Sequence, residues 1–409
     1  MKFDTFMELA QTIEQIGGRA YFVGGYVRDT LMNVPYKDID VLVIGLSVDQ
    51  LVKAIPDIGI VGREYGVFEV NVEGNRVELA LGRTEKKVGI GYKGFQVFTD
   101  PDVTLYQDLS RRDTTMNAMA IDILTKELHD PFDGQGAIKK KMIIPTTEAF
   151  KDDPLRVYRA GVSASRYDYD IHPQLVTYAK SLVPELVTLA PERVGIELIK
   201  ALSGVKPRRF FDFLKEAGAL GPHFRPIEAL IGVKQNAKHH PEGDAYEHTM
   251  AVLENGHTGD ALKSFVYLVH DLGKSITEAP NHRGHEVAGV DLIEAFGKHL
   301  KLPKDMINAG KTGAKLHGKV HLLNKMRSVT IVDLLNEAAK SPLSVVGLAD
   351  LAKADDLRGS HPFAHMLKPL YTAISAVKGN PCLRQDLIAE DKRVRQARVV
   401  DLARAELGL

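Results

Sequence analysis

Asp38 and Asp40 stand two residues apart in KDIDVLVIG, whose alternating apolar residues predict a strand. Alternation puts both carboxylates on one face, about 7 Å apart at Cα, where they can share divalent cations. Cations held in this way can carry a triphosphate and activate an attacking hydroxyl. A third carboxylate on a neighbouring strand would complete the face, and Glu78 in VELAL is the candidate. Glu69 and Glu73 alternate in the same way, so Glu78 fits a plain strand edge equally well. Taken alone, an Asp-x-Asp pair is a weak signal that most often marks a solvated loop.

The surrounding motifs sharpen this reading. Shortly before the pair, GGYVRD offers Gly24 and Gly25, which let backbone close on phosphates, and Arg28, which faces them from a first helical turn. Asp29 caps that helix or orients Arg28. Further on, DLSRRDTTMNAMA contains Arg111, Arg112, Asp113 and Asn117. Two adjacent guanidinium forks suit a phosphate clamp, although the segment also reads as a surface helix start capped by Asp113.

A second constellation lies in the C-terminal half: His248 in AYEHTM, His270-Asp271 in YLVHDLGK and Asp355 in LAKADDLRG. Histidine nitrogen and aspartate oxygen share borderline metals. HDLGK ends an apolar helical run, so its His and Asp sit together at a helix end before a glycine turn. Capping or plain surface is the default reading of such a pair. His282 and His285 in NHRGHE are further candidates to complete a site or bind a phosphate.

The elements that must position these groups change along the chain. Residues 4–16 predict a helix with Phe6, Leu9, Ile13 and Ile16 on one stripe, followed by strand, glycine turn and helix over RAYFVGGYVRDTLM. GVFEVNVEG and NRVELALG predict two strands joined by a hairpin at Gly74-Asn75, and the glycines and lysines of GRTEKKVGIGYKGF predict a mobile loop. Beyond residue 150, helical spacing dominates at 153–166, 173–189, 192–203 and 207–217, where Phe210, Phe211, Phe213 and Leu214 read as core. A break at GVKQNAKHHPEGDAY opens a second helical region, and an amphipathic helix runs from about 384 to 405. The expected boundaries are 1–150, 151–235, 236–370 and 371–409, in an α+β chain.

The order GGYVRD, KDIDVLV, DLSRRDTTMNAMA, HDPFDG, DDPLRVYR and PERVGIEL closely resembles the bacterial CCA-adding tRNA nucleotidyltransferases of the polymerase-beta-like superfamily. The likeness is strongest over residues 21–202 and continues more weakly to about 360. It implies a polymerase-beta-like head with a mixed sheet, an all-helical neck and body, and a helical HD domain. By resemblance, Gly25 and Arg28 contact the incoming CTP or ATP, Asp38 and Asp40 bind Mg2+, and Arg112 meets its phosphates or sugar. The base is selected by protein from the segment that starts at DDPLR. There Asp153 and Arg156, one helical turn apart, match the edges of C and A but not of U or G, and Arg159 continues the same face. The implied reaction adds C, C and A to the acceptor arm of tRNA and releases pyrophosphate.

The later series of H, then HD, then D resembles the HD phosphohydrolase superfamily and the C-terminal half of the multifunctional bacterial CCA enzymes. It implies a site of His248, His270, Asp271 and Asp355 for Ni2+ or another divalent metal, with phosphatase or 2′,3′-cyclic phosphodiesterase activity. Asp355 and Asp356 compete for the last position. Two departures from the family pattern stand in the head: Asp152 replaces the usual Glu, and Val162 and Ser163 replace an arginine and an aromatic. Loss of a guanidinium donor implies nucleotide binding weaker by about 1 kcal/mol or more, with Arg166 as the compensating cation. The loop around Lys86, Lys87 and Lys93 is expected to close over the site.

Bulk properties are consistent with these expectations. A chain of 409 residues holds several cores, and no stretch has the roughly 18 apolar residues that a membrane span needs. MKFDTFMELAQTIEQ is acidic where a signal peptide would be apolar, so a cytoplasmic protein is expected. Cys382 is the single cysteine, which excludes an internal disulfide and a cysteine-cluster zinc site. With 53 Lys plus Arg against 53 Asp plus Glu, a globally basic nucleic-acid binder is excluded but a local basic face is not. Arg193, Lys200, Arg208 and Arg209 are candidates to touch tRNA phosphates, with the acceptor arm read mostly by shape. A homodimer is compatible with the sequence. Poly(A) polymerase, a partial CC- or A-adding enzyme and a tRNA-binding protein with a decayed site are the competing readings. The retained Asp38, Asp40, Arg112, Asp153 and Arg156 count against the last.

Overall fold

The computed structural model describes residues 2–407 apart from 37, 57, 63–65, 88, 90–94, 237–242, 257–258 and 360–361. The chain divides into two compact units, Met1–Leu189 with Glu216–Ala219, and Ala190–Lys215 with Leu220–Leu409. Among the described residues no helix is long and apolar enough to cross a membrane.

Among its described residues the first unit holds twelve strands: β1 (Lys2–Phe3), β2 (Arg19–Val23), β3 (Asp40–Ile44), β4 (Gly59–Gly62), β5 (Val67–Val72), β6 (Asn75–Leu81), β7 (Arg83–Lys87), β8 (Phe95–Thr99), β9 (Ala120–Asp122), β10 (Leu128–His129), β11 (Met142–Ile143) and β12 (Asp170–Ile171). Its helices are α1 (Phe6–Gln15), α2 (Gly25–Leu31), α3 (Val48–Ala54), α4 (Leu105–Ser110), α5 (Gly134–Lys139), α6 (Leu155–Tyr167) and α7 (Pro173–Leu186). The main sheet runs β1-β5-β6-β3-β2-β9-β10, with β4 beside β5. It is mixed: β3 pairs parallel to β6 and antiparallel to β2. This is the expected mixed-sheet head followed by helices.

Alternation along β3 and β6 decides which way the acids point. Val41, Val43, Val77, Leu79 and Leu81 pack with Leu9 and Ile13 of α1 and Leu51 of α3 in the larger core. Leu42 packs on the opposite face with Leu109, Ala118 and Ala120. Asp40 and Glu78 therefore share the face of Leu42, away from the α1 and α3 layer.

Three local expectations change. The strand opens at Asp40, so Asp38 precedes it rather than lying within it. The hairpin between β5 and β6 turns on Glu73 and Gly74, both at positive φ as a type I′ turn requires, one residue earlier than expected. The stretch expected as a mobile loop contributes paired strands, β7 against β8, because the β-branched and aromatic residues of FQVFT outweigh the glycines before it. Lys93 falls outside the described residues, and only the backbone of Lys86 and Lys87 is described.

The second unit is helical: α8 (Pro191–Leu202), α9 (Arg208–Ala217), α10 (Gly221–Glu228), α11 (Ala245–Asn255), α12 (Ala261–Val269), α13 (His285–His299), α14 (Lys304–Val320), α15 (Ser328–Lys340), α16 (Ser344–Asp355), α17 (Leu367–Ser375) and α18 (Gln385–Leu407). At its centre α12 is apolar nearly all round, with Phe265, Val266, Leu268 and Val269 buried, and it packs against α8, α11, α14 and α16. Phe210, Phe211, Phe213 and Leu214 are core, as their spacing indicates.

Glycines set the spacing around α12. A Cβ on Gly310 or Gly313 of α14 would meet Phe265, Val269 or Val266 at 2.5–2.9 Å. A Cβ on Gly273 would lie 2.0 Å from the carbonyl oxygen of His285, at the start of α13. Gly273→Ala is therefore expected to destabilise the second unit by about 1–3 kcal/mol, read as a lower urea midpoint. An unchanged midpoint would show that the turn after α12 does not depend on this close approach.

Candidate active sites

In the first unit Asp40 and Glu78 are register partners on adjacent parallel strands. Burial raises the Asp40 carboxyl above its ordinary range, and Asp38 adds to the rise while Arg112 and Arg159 oppose it. Glu78 shifts the same way, through displaced water first and then repulsion from Asp40 and Asp38. Carboxylates that push one another's pKa upward mark a place where a hard cation would relieve the repulsion, and all-oxygen donors suit Mg2+.

Arginines border this face. Arg112 follows the end of α4, and Asp108, fully buried one turn back, accepts its Nη2 at 3.0 Å. Asp108 also takes Arg111 at 2.5 Å, and Arg111 donates Nε to the Arg83 carbonyl at 3.0 Å. Burial alone would raise Asp108, but the two guanidinium groups outweigh it and hold the carboxyl below its usual range. A Cβ on Gly24 would sit 3.2 Å from Arg112 Nη1 and 3.6 Å from Asp40 Oδ2. The glycine turn is thus where backbone, Arg112 and Asp40 converge. Arg111 instead braces β7.

A continuous network joins α2, the turn at 115–117 and α6. Arg28 donates Nε to Asp29 at 2.8 Å and Nη1 to the Asn117 side-chain oxygen at 2.5 Å. Asn117 donates its amide to Asp113 at 2.9 Å, and Arg159 pairs with the other oxygen of Asp113 at 2.9 Å. Asp29 also accepts from Arg166 at 3.0 Å and from the Tyr167 hydroxyl at 2.9 Å. Asp29 is therefore the anchor of α2 on α6. Arg166, the expected stand-in for an arginine at Val162, has its guanidinium on Asp29 and over the Tyr167 ring.

The segment that starts at DDPLR also differs locally from what its spacing predicts. Asp153 is extended, with φ −114° and ψ 111°, and precedes α6 instead of sharing its face with Arg156. The proline that follows disfavours helical backbone there. The Asp153 carboxylate accepts the Leu155 N–H at 2.9 Å, and Arg156 is buried and donates to the Ala149 carbonyl. Arg159 is half exposed.

In the second unit the apolar α12 carries its C-terminal residues inward. His270 caps the helix and Asp271 begins the following turn, and both are at most 1% exposed. His248 Nε2 lies 3.0 Å from Asp355 Oδ1 and 3.5 Å from Asp271 Oδ2. His270 Nε2 lies 3.2 Å from Asp271 Oδ2. Asp355, not Asp356, is thus the acid that faces the histidines, and His321 meets its other oxygen at 3.1 Å. Burial would lower His270, but Asp271 and Asp355 outweigh it and push the imidazole up to about 10. Any metal bound there would displace that proton. Among the described residues the clusters with metal-ligand spacing are His248, His270, Asp355 and His270, Asp271, His317.

Sequence reasoning missed His317, His321 and Lys274, although His317 and His321 are four apart at the end of α14, a same-face spacing. Of the NHRGHE pair, His285 joins the cluster, 3.2 Å from Asp271 Oδ1. His282 does not: its ring is held by the Lys234 carbonyl at 2.9 Å and by Thr277. Arg208 is paired with Asp212 and Glu247.

Asp113 yields a pH test. Burial would raise its carboxyl, but Arg159, the Asn117 amide, Arg156 and the Thr114 N–H outweigh it and hold the pKa at about 2. A depressed carboxylate adds stability above its unfolded pKa, and that stability is lost as pH falls through the folded one. Asp113→Asn should therefore cost about 2 kcal/mol near neutrality, by denaturant titration. The gap to wild type should narrow as pH falls from about 4 toward 2. A gap independent of pH would exclude the charge of Asp113 as its source.

Residues 20–144 match a family model described as the poly A polymerase head domain, and residues 168–230 match one described as the probable RNA and SrmB-binding site of polymerase A. Among solved structures, the fold is similar to a Bacillus stearothermophilus CCA-adding enzyme in complex with CTP, at TM-score 0.63 and 21% identity over 97% of this chain and 92% of that one. It is also similar to a tRNA-processing enzyme in apo form, at TM-score 0.65 and 18% identity over 96% of each chain. The multifunctional CCA protein of Methylobacillus flagellatus is 38% identical over 86% of this chain and 87% of its own length. That of Nitrosococcus oceani is 37% identical over 94% of this chain and 98% of its own, so the chain belongs to the multifunctional CCA protein family.

Proposed function

We propose that the first unit adds or repairs the 3′-terminal CCA of tRNA with CTP and ATP. The observation that carries this reading is the face formed by Asp40 and Glu78 in register, with Arg112 at the adjoining glycine turn. Asp38 and Asp40 would hold Mg2+, whose charge lowers the pKa of the tRNA 3′-hydroxyl and offsets that of the triphosphate. The 3′-hydroxyl gives up its proton to solvent as its oxygen bonds to the α-phosphorus, and the bond from that phosphorus to the β-phosphate oxygen breaks, releasing pyrophosphate. Gly25 brings backbone to the nucleotide, and Arg28 and Arg112 offset charge on the phosphates. Asp153, Arg156 and Arg159 select the base. Asp108 and Asp29 act behind them, holding Arg112 and Arg28 in place. We further divide the chain into a head at 1–150, a neck and body at 151–235, an HD domain at 236–370 and a helical tail at 371–409.

Labelled CTP and ATP, supplied separately and together to a tRNA that ends at its discriminator base, test this reading. C, C and then A should be added, and Asp40→Ala should abolish incorporation. Long A tails would place the chain with poly(A) polymerases, and stalling after CC would make it a partial enzyme. Because Val162 stands where a guanidinium is usual and Arg166 is held by Asp29, Val162→Arg should lower KM for nucleotides several-fold, about 1 kcal/mol. An unchanged KM would place residue 162 away from the nucleotide.

For the second unit we propose a metal-dependent phosphohydrolase acting on phosphomonoesters or 2′,3′-cyclic phosphates, with His248, His270, Asp271 and Asp355 holding Ni2+ or another divalent ion. Buried imidazole and carboxylate donors with metal-ligand spacing support this reading. With Ni2+ or Mg2+ added, the protein should hydrolyse such esters and His248→Ala should not. Esters left intact by the wild-type protein would reduce this region to a structural role.

A further inference from the structure

Pairing of β3 with β2 and β6 begins at Asp40, so the ladder fixes Asp40 but leaves Asp38 to the segment between α2 and β3. That segment is tied back to α2. Asn33 follows the helix in left-handed backbone at φ 53°, and the Val34 N–H donates to the Asp29 carbonyl at 3.0 Å. Pro35 then fixes its own φ and disfavours helical backbone at Val34. Tyr36 sets its ring edge-on to that of Tyr26 on α2, with centroids 4.7 Å apart and planes at 71°.

Tyr26 is a firm support for that ring. Its own ring lies 4.8 Å from that of Phe22 of β2, and Phe22 lies 5.0 Å from Phe6 of α1. Phe22 is buried, and Phe6, Tyr26 and Ile39 pack with it in the core of α1 and α3, on the opposite face from Asp40 and Glu78. The chain is thus drawn to that core on both sides of Asp38, by Tyr36 before it and by Ile39 directly after it. Asp38 itself is exposed. Tyr36 is 50% exposed, so burial accounts for only part of its hold, whereas an edge-on aromatic pair stabilises beyond the area it covers.

We propose that Tyr36 is a positioning residue of the nucleotidyl-transfer site: its ring, braced edge-on by Tyr26, holds Asp38 where it can share a divalent ion with Asp40. The inference deepens the CCA-adding reading and rests on it. Tyr36 acts through the backbone of Asp38 and needs no contact with nucleotide or ion. A carboxylate on an unanchored segment would have to be ordered when the ion binds, and that cost weakens the ion's hold. The aromatic pair meets the cost in advance, doing for Asp38 what strand pairing does for Asp40.

Two readouts on the full chain test this. Hydrogen exchange of the metal-free protein, followed at the amides of Asp38 and Ile39, should be faster in Tyr36→Ala by about threefold to tenfold. Tyr36→Phe, which keeps the ring, should exchange as wild type does. With a tRNA that ends at its discriminator base and saturating CTP, Tyr36→Ala should raise the half-saturating Mg2+ concentration by a similar factor. KM for CTP at saturating Mg2+ should stay unchanged. Tyr26→Leu, which loses the ring but keeps an apolar side chain on the core, should act in the same way, and the double variant should be no worse than either alone. Exchange and Mg2+ dependence equal to wild type would overturn the positioning role while CCA addition stands. A lower kcat at unchanged Mg2+ dependence, or additive effects of the two substitutions, would overturn it as well. A wild-type chain that incorporates no nucleotide would overturn the CCA-adding reading, and the proposal with it.

Discussion

A carboxylate buried without a partner costs several kcal/mol, and this chain buries Asp29, Asp108, Asp113 and Asp271 almost completely. Each has to be surrounded by donors or cations, and those partners are the groups that face the two candidate sites. Asp108 holds Arg112 at the rim of the Asp40 face, Asp29 holds Arg28 and Arg166, and Asp113 holds Arg159. Asp271 gathers four histidines and Lys274. The acids that look structural are therefore what holds the cationic side chains in place at the two candidate sites.

The fold supplies the burial by two different means. In the first unit, strand alternation sends one set of side chains into the α1 and α3 core and leaves Asp40 and Glu78 on the other face, where α4 ends and its arginines begin. In the second, a helix that is apolar nearly all round is packed by α8, α11, α14 and α16, so the polar pair that follows it is buried with it. Glycines at 273, 310 and 313 then let α13 and α14 approach closely enough to bring His285 and His317 to Asp271.

Much of this could be read in the sequence, for a physical reason. The Asp38–Asp40 pair, the glycine turn, the arginine pair and the HD segment are local patterns, and their elements follow apolar periodicity that the structure keeps to within a few residues. Local rules failed where the backbone departs from the regular period. Asp38 lies before its strand, and Asp153 is forced out of the helix by the proline that follows it. They also failed where partners are distant in the chain. Asp29 meets Arg166 and Tyr167 across more than 130 residues, and nothing near Asp29 announces that. His317 and His321 join the histidine–aspartate cluster through helix packing governed by small residues, a signal that becomes meaningful only once α12 and α14 are known to touch.

The central claim is that the face of Asp38, Asp40 and Glu78 is where nucleotide and metal meet. Its most direct test is diffraction from the chain crystallised with CTP and Mn2+, with the ions located by anomalous scattering. The account requires an anomalous peak at Asp38 and Asp40, with the triphosphate lying against Arg112 and the Gly24-Gly25 turn. Nucleotide and metal bound elsewhere in the first unit, with these carboxylates unliganded, would contradict it.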